Sequence, residues 1–468
     1  MDVLLINPHL EFPSDTSGRS GLLRSKEYLL NMGLLSISTY LNDKCIKTQI
    51  SDLSTSENPL QELEKILLEH NPGFVGISNQ SCYSYLSTKN YAELIKSISR
   101  DTKVAVGGLH ASGIPNELLH ESDYVDYVVI GEGELVLEDL FRNTNFSKLQ
   151  KTQVSRNGQI VSNQKYPKID SLPRLDYAQY PNFNQFVPYV EESRGCVSKC
   201  DYCISPSIHK GIRIKDPSIM SADIVALQEL YGSEGFHFFL EANNFAVNHK
   251  RTEELTKLLA GANYSWRTES RVDTFPTHLL DSLVEGGLRV LDIGLESGSP
   301  EMLLRMNKTK NPSEYLKSGI QLAEKVAENG NCLLKFNLML YYGETLSTVE
   351  ETRDYLRIIS SITPLAVGAG PVRMDPGSKN YKGFIENGNL TAFDNSFWGQ
   401  VHCYPLDISS EISFEEGNQI ALGLAQEFQT SRTYYESKRH SQLPYNMSYE
   451  KFMKLSDSIP SNAKQWKE

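Results

Sequence analysis

Short apolar runs alternate along this chain with segments whose apolar residues recur at helical spacing. In the first 140 residues, runs rich in β-branched residues lie at 3–7, 74–78, 103–108 and 127–134. The helical segments between them lie at 33–43, 59–71 and 87–100. Runs of this kind are typical of strands buried on both faces of a parallel sheet. The pattern therefore predicts an α/β fold, with a doubly wound parallel sheet over residues 1–140 and ligands beyond the carboxyl ends of its strands.

A second alternation begins near residue 186. Its apolar runs lie at 186–193, 236–244, 264–270, 289–297, 333–343 and 364–374. Helical segments separate them at 219–231, 250–261, 277–286, 313–329 and 346–361. This order predicts a partial (β/α)6 barrel over residues 186–375, whose active site would lie at the carboxyl ends of the strands.

Two further regions complete the predicted domain organisation. Residues 141–185 are polar and interrupted by Pro167, Pro173 and Pro181, which predicts a linker between the domains, with a hairpin at RNGQIVSNQKYP. Residues 376–468 form a smaller C-terminal region, which we expect to close the barrel over the substrate.

Charge and hydropathy exclude several classes of partner. The chain has 46 Lys and Arg residues against 58 Asp and Glu residues, a net charge of −12, which disfavours generic binding to nucleic acid or anionic lipid. No apolar run approaches the roughly 18 residues that a membrane span needs. The start, MDVLLINPHLEF, lacks the features of a secretory signal. We therefore expect a cytoplasmic protein that binds neither nucleic acid nor membrane.

Three of the seven cysteines, Cys196, Cys200 and Cys203, lie within one short segment directly after the first predicted barrel strand. Thiolates at such spacing can converge on one centre, and they select zinc, copper(I) or iron–sulfur clusters. A structural zinc site usually has four Cys or His ligands, and His209 is the only nearby candidate for the fourth. A three-cysteine set instead leaves one iron of a 4Fe-4S cluster open to a small molecule. From spacing alone, a cluster, a zinc site and unmetallated thiols all remain open.

The cysteine segment resembles a known loop. RGCVSKCDYC matches the CxxxCxxC loop of the radical S-adenosylmethionine (radical SAM) superfamily, including the aromatic Tyr202 before the last cysteine. Three later segments resemble this family in its own order, up to residue 381: RVLDIGLESGSPEMLLRMNK, LLKFNLMLYYGETLSTVEET and VRMDPGSKNY. The second of these lacks the proline that the family has in its strand-five turn.

The N-terminal region resembles the cobalamin-binding domain that precedes the barrel in one branch of this superfamily. The segments that match are GLLSISTYL, FVGISNQSCYS, VAVGGLHASGIPNELL and VDYVVIGEGE. The Asp-x-His-x-x-Gly motif, which supplies a histidine to cobalt elsewhere, is absent, and His9 is not in that context. The resemblance therefore leaves two alternatives, cobalamin bound without a protein imidazole and a domain that has lost the cofactor.

The resemblance also implies a set of site residues. Cys196, Cys200 and Cys203 would hold a 4Fe-4S cluster whose open iron chelates S-adenosylmethionine. By position in the family, the residues around the methionine moiety, the ribose and the adenine would be Tyr202, Glu241, Asn243, Arg271, Glu296, Ser297, Tyr342 and Gly343. Gly107 and Gly108 would lie near cobalamin. Ordinary alternatives exist for several of them: Arg271 can pair with Asp273, Glu241 can be a solvated strand end, and Glu296 can serve only its own turn.

The implied activity is methyl transfer to a small-molecule natural-product precursor, with a reductant such as flavodoxin or ferredoxin. The alternatives are a radical rearrangement and unconventional cleavage that transfers the 3-amino-3-carboxypropyl group. The competing class is a zinc-stabilised α/β scaffold that binds without catalysis.

Overall fold

The computed structural model describes residues 1–11, 30–142, 149–153, 158–163, 166–261, 263–372, 375–386 and 407–467. These residues form two large, mainly parallel sheets with helices packed against them, so the predicted α/β class is confirmed. None of the described helices is long and apolar enough to cross a membrane.

The first sheet has seven strands in the order β2-β1-β3-β4-β5-β7-β6, and only β6 runs antiparallel to its neighbour. The strands are β1 Val3–Asn7, β2 Thr48–Asp52, β3 Phe74–Ser78, β4 Lys103–Gly107, β5 Tyr127–Ile130, β6 Leu149–Gln153 and β7 Gln159–Asn163. The helices are Met32–Asp43, Pro59–His70, Tyr85–Ile98, Leu109–Gly113, Pro115–Glu121 and Glu134–Arg142.

Two parts of this sheet differ from the prediction. Strand β2, TQISD, was not predicted, because it lies at the sheet edge and carries polar residues. Strands β6 and β7 lie in the segment predicted as a linker and form an antiparallel hairpin that extends the sheet beside β5. A hairpin was expected at RNGQIVSNQKYP, and only the second strand of the observed one lies in that segment. Strands β2 and β6 are the two edges of this sheet, and edge strands need less apolar sequence than central strands.

The second sheet has six parallel strands in the order β15-β14-β13-β12-β11-β8, which confirms the six predicted barrel strands. They are β8 Tyr189–Glu191, β11 His237–Glu241, β12 Ser265–Ser270, β13 Leu288–Glu296, β14 Leu333–Leu340 and β15 Leu365–Pro371. A separate hairpin pairs β9 Ser193–Gly195 with β10 Ile212–Ile214. The helices of this region are Ser205–Ile208, Pro217–Tyr231, His249–Leu259, Leu280–Glu285, Pro300–Arg305, Pro312–Asn329 and Leu346–Ile362.

The inner face of the second sheet carries a buried charge network. Asp292 has no exposed surface and accepts hydrogen bonds from Lys335 Nζ and Asn337 Nδ2, both at 2.8 Å. Arg267 forms a further ion pair with the same carboxylate. Burial alone would raise the pKa of Asp292, but Lys335 and Arg267 outweigh it and hold that pKa below its ordinary value. Each buried charge here depends on its partners.

The C-terminal region covers the edge strand β15 and the amino end of the barrel. Its described helices are Lys379–Glu386, Phe414–Phe428, Ser431–Arg439 and Tyr449–Ser456. The Gln429 side chain takes the place of a neighbouring strand, because its Oε1 accepts from the Val367 N–H at 3.1 Å and its Nε2 donates to the Val367 carbonyl at 2.9 Å. At the amino end, Arg267 Nη1 donates to Ser441 Oγ at 2.6 Å. Residues 387–406 lie outside the described residues, and a substrate-capping role for this region stays a prediction.

We expect two buried histidines to make stability depend on pH. His237 and His440 pack with ring centroids 5.4 Å apart, and burial lowers the pKa of His237 to about 4 and that of His440 well below its ordinary value. Below about pH 6.5 these two histidines therefore bind protons in the unfolded chain but stay neutral in the folded chain. Stability is fully present above that pH and falls as the pH drops from about 6.5 towards 4, by up to about 1.4 kcal/mol per pH unit for each histidine.

Urea unfolding of the wild type and of His237→Phe between pH 7.5 and 4.5 isolates this effect. Phenylalanine fills the same space with an aromatic ring but does not titrate. The free energy of unfolding of the variant should therefore fall less than that of the wild type as the pH is lowered. Parallel pH profiles for the two proteins would contradict the assignment.

Candidate functional site

The cysteine loop leaves directly from strand β9. Gly195, the last residue of that strand, has a φ of +89°, and a Cβ at this position would collide with the Gly211 carbonyl on the paired strand. Only glycine fits such a close backbone approach. Cys200 is buried, and Cys196 and Cys203 are half-buried. The hairpin therefore fixes where the loop begins.

Each of the three sulfurs has one hydrogen-bond donor nearby. The backbone N–H groups of Ser198 and Ser205 lie 3.4 Å from Cys196 Sγ and Cys203 Sγ, and Arg271 Nη1 lies 3.5 Å from Cys200 Sγ. Such donors stabilise metal-bound thiolates. Burial raises the pKa of Cys203 to about 11, so its thiolate form at neutral pH needs a metal. This donor set fits an iron–sulfur cluster.

Within the described ranges, no three His, Cys, Asp or Glu side chains stand together as a metal site. His209, the candidate fourth ligand, packs on Tyr166, and its Nδ1 lies 3.6 Å from Glu132 Oε1.

Beside the loop, the Glu296 carboxylate binds two side chains. Its Oε1 accepts from Tyr202 OH and from Lys308 Nζ, each at 3.0 Å. Glu296 follows a bulge in β13 and has a φ of +72°, which turns its side chain out of the strand pattern. A Cβ on Gly294 would lie only 2.8 Å from the Glu296 carboxylate and 3.1 Å from Lys308 Nζ. Glycine at 294 therefore makes room for this ion pair.

Sequence reasoning missed Lys308. Its side chain is buried and its only sequence signal is its place at the end of RVLDIGLESGSPEMLLRMNK, among other lysines that look like ordinary surface residues.

Arg271 is held next to Cys200 by other contacts. Its Nε and Nη2 donate to the two carboxylate oxygens of Asp273, each at 2.8 Å, and Nη2 also donates to the Lys308 carbonyl at 2.6 Å. Arg271 therefore forms the ion pair with Asp273 that was one of the two expectations for it. The same guanidinium also contacts Cys200 Sγ. A bidentate pair fixes the plane of a guanidinium.

The carboxyl end of β11 reaches the same loop. Asn243 Nδ2 donates to Ser205 Oγ at 3.1 Å, and Ser205 is the residue whose N–H meets Cys203 Sγ. Glu241 lies beside Glu269 of the next strand, since Leu240 pairs with Thr268. Burial and the Glu269 charge raise the pKa of Glu241 to about 8. A cation placed near Glu241 would restore its ionised form.

The remaining predicted residues of the barrel are arranged differently. Ser297 is buried, and its hydroxyl bonds Thr352 Oγ1 and the Ser299 N–H, both at 3.0 Å, so it serves its own turn. Gly343 has a φ of +83°, and its N–H donates to the Ile408 carbonyl at 2.7 Å. Tyr342 follows Tyr341, whose ring meets that of Tyr202 edge-on at 6.4 Å. The strand-five turn thus lies against the cysteine loop through Tyr341.

At the carboxyl edge of the first sheet, Gly108 has a φ of +105°, and a Cβ there would collide with the Asn79 carbonyl. A Cβ on Gly107 would meet only ordinary contacts. Gly108 therefore allows a tight turn against the Asn79 backbone, and its expected place near cobalamin stays a prediction. Next to it, Leu109 is 45% exposed, and its N–H donates to the exposed Gln80 side chain at 3.3 Å. An exposed apolar side chain therefore lies beside an exposed amide at the sheet edge where cobalamin is expected.

Comparisons with known proteins agree with this arrangement. The B12 binding domain profile matches residues 19–141, and the radical SAM superfamily profile matches residues 190–356. An uncharacterized methyltransferase of Pyrococcus horikoshii is 26% identical over 294 residues, which are 59% of this chain and 63% of that protein. The chain spans less than two thirds of the length of the first curated relatives that it matches.

Two solved structures share the fold at 16% identity. One is the radical S-adenosylmethionine methyltransferase TsrM from Kitasatospora setae with cobalamin and a 4Fe-4S cluster bound, with a TM-score of 0.65 over 83% of this chain and 78% of that one. The other is the cobalamin-dependent S-adenosylmethionine radical enzyme OxsB, with a TM-score of 0.67 over 93% of this chain and 67% of that one.

The two matched regions define a two-domain class, in which a B12-binding domain precedes a radical SAM domain. This chain matches both domains in that order, and it shares its fold with TsrM and OxsB. The expected pair of domains and the expected fold are thereby confirmed.

Proposed function

We propose that this protein is a cobalamin-dependent radical SAM enzyme that transfers a methyl group from S-adenosylmethionine to a small molecule. The observation that carries the proposal is the three-cysteine loop, with Arg271 at Cys200, in one chain with a B12-binding domain. Two relatives named as methyltransferases support methyl transfer, and a radical rearrangement and aminocarboxypropyl transfer are the alternatives.

When bound, the cluster supplies one electron and an open iron for S-adenosylmethionine, and cobalamin supplies a carrier for the methyl group. Cys196, Cys200 and Cys203 are the residues that would hold the cluster. Leu109 and Gln80, next to Gly107 and Gly108, are the described residues that would meet cobalamin.

The chain's own side chains would hold S-adenosylmethionine. The amine of its methionine moiety is a cation that suits Glu241, a carboxylate whose pKa is raised by burial and by the neighbouring Glu269, with Asn243 beside it. Arg271, already oriented by Asp273, would meet the carboxylate. Glu296, fixed by Lys308, would face the ribose with Ser297 behind it, and Tyr202, Tyr342 and Gly343 would border the adenine.

We expect Arg271→Ala to weaken S-adenosylmethionine binding by about 10- to 100-fold, since hydrogen bonds to charged groups contribute roughly 1.5–3 kcal/mol. Equilibrium binding to the anaerobically reconstituted protein measures this. Arg289→Ala is the matched control, because Arg289 donates only to the carbonyls of Val284 and Leu288. Unchanged affinity in Arg271→Ala would leave that residue with its structural role alone.

The decisive experiment is anaerobic reconstitution with iron, sulfide and hydroxocobalamin, followed by reduction and incubation with S-adenosylmethionine. Stoichiometric cobalamin with S-adenosylhomocysteine and 5′-deoxyadenosine supports the methyltransferase. An empty first domain with 5′-deoxyadenosine alone indicates a rearrangement, and an empty first domain with 5′-methylthioadenosine indicates aminocarboxypropyl transfer. Zinc in place of iron contradicts all three and favours the binding scaffold.

Further parts of the proposal concern partners. A natural-product precursor is the proposed substrate, and flavodoxin or ferredoxin in the cytoplasm is the proposed reductant. Reconstitution of turnover with flavodoxin and its reductase, in place of dithionite, tests the second part.

A further inference from the structure

Two carboxylates of the first domain reach into the hairpin that carries the cysteine loop. Glu132 and Glu134 follow β5, and each accepts a hydrogen bond from Arg194 Nη1, at 2.9 and 2.8 Å. Glu132 also forms an ion pair with Arg213. Arg194 and Arg213 are directly paired residues of strands β9 and β10. The first domain therefore forms ion pairs with both strands of the hairpin.

Arg194 is the centre of these contacts. Its Nε donates to Glu191 Oε1 at 2.6 Å, and its Nη2 donates to Ser36 Oγ at 3.1 Å. Ser36 Oγ in turn donates to Glu134 Oε1 at 2.5 Å. All three guanidinium nitrogens are thus in use, and Arg194 lies two residues before Cys196. A guanidinium that is hydrogen-bonded through all three nitrogens restrains the backbone of the residue that carries it.

The ion pairs of Arg194 with Glu132 and Glu134 are buried. The side chains of Arg194, Glu132 and Glu134 are 12%, 7% and 3% exposed. Burial alone would raise the pKa of Glu132, but His209, Arg213 and Arg194 outweigh it and lower that pKa to about 2. Glu132 is therefore ionised throughout the physiological range. A buried charge left without its partner is costly, so the two domains cannot separate here without penalty.

We infer that Glu132 and Glu134 are positioning residues for the cysteine loop and act on it through Arg194. The first domain thereby sets where Cys196 begins, and a shift of Glu134 is transmitted to the loop along the guanidinium. The inference rests on the proposed function only in so far as this loop holds the cluster.

The test uses Glu134→Gln and Arg194→Lys in the full chain. Glu134→Gln keeps the shape of the side chain but removes its charge. Arg194→Lys keeps the charge but removes the planar guanidinium with its several hydrogen-bond donors. Glu138→Gln is the matched control, since Glu138 lies on the same helix and binds Tyr40 OH at 2.6 Å and Arg142 Nε at 3.1 Å, away from the hairpin. Thermal midpoints of all proteins report on any general loss of stability.

Two readouts are compared. In the metal-free protein, the alkylation rate of Cys196 by iodoacetamide, followed by peptide mass spectrometry, should rise about threefold or more in Glu134→Gln and Arg194→Lys, because local opening raises thiol reactivity. In the reconstituted, reduced protein, the EPR spectrum of the cluster should change in both variants at unchanged iron content. Glu138→Gln should match the wild type in both readouts.

Wild-type alkylation rates and spectra in both test variants would overturn the inference, and so would equal changes in Glu138→Gln. The alkylation readout does not depend on the proposed function. If the wild type binds no iron, the proposed function fails, while a faster reaction of Cys196 in the two variants still supports the inference.

Discussion

Cys200→Ser is expected to abolish iron–sulfur cluster assembly while the chain stays folded. Cys200 is the most buried of the three loop cysteines, and its sulfur already has the Arg271 guanidinium as a neighbour. Serine keeps the volume but is a poor ligand for iron, so two thiolates would remain for a centre that needs three. Iron content after reconstitution should fall from about four per chain to below about one, with loss of the broad absorbance near 400 nm.

The control for this substitution is Cys45→Ser, since Cys45 is exposed and belongs to the first domain. It should retain the wild-type iron and sulfide content. Circular dichroism and the thermal midpoint show whether Cys200→Ser folds. A folded Cys200→Ser protein that still assembles the full cluster and cleaves S-adenosylmethionine would falsify the ligand set.

Asp292→Ala should reduce the free energy of unfolding by about 3–5 kcal/mol, the usual cost of removing one partner from a buried ion pair. Lys335 and Arg267 both use this carboxylate, and neither has another acid as close within the described part of the chain. Urea denaturation measures the loss. Asp281→Ala is the control, because the side chain of Asp281 is 51% exposed in its pair with Lys325, and such a pair contributes about 1 kcal/mol or less.

A second variant separates unpaired charge from lost packing. Asp292→Ala combined with Lys335→Met removes one of the two stranded cations and should recover part of the stability lost in Asp292→Ala alone. If the double variant is less stable than the single one, the effect comes from volume rather than from charge. A loss below about 1 kcal/mol in Asp292→Ala would contradict the network itself.

The central strands could be predicted because burial on both faces leaves a continuous apolar run in the sequence. The edge strands could not, since Thr48–Asp52 and Leu149–Gln153 each pair on one side only and carry mostly polar residues. The hairpin of β9 and β10 was also missed. Each of its strands has three residues, and its arginines are partnered by glutamates some 60 to 80 positions earlier.

The residues of the candidate site also divide into those that could be predicted from the sequence and those that could not. The three cysteines are a local pattern, and the pairing of Arg271 with Asp273 lies within two residues, so both were accessible from sequence. The partnership of Lys308 with Glu296 needs the bulge in β13 and the glycine at 294, which no spacing rule reveals. Ser297 was placed at the cofactor by position in the family, and its hydroxyl is already used by Thr352. Its role stays a prediction.

The Gln429 amide that stands in for a strand beside Val367 has a consequence for dissecting the protein. A fragment that ends with the barrel, near residue 375, lacks Gln429 and leaves the Val367 N–H and C=O without that partner on the edge strand β15. An open strand edge is a template for pairing with another chain. The isolated barrel should therefore self-associate edge to edge, and a fragment extended through residue 467 should stay dispersed at the same concentration.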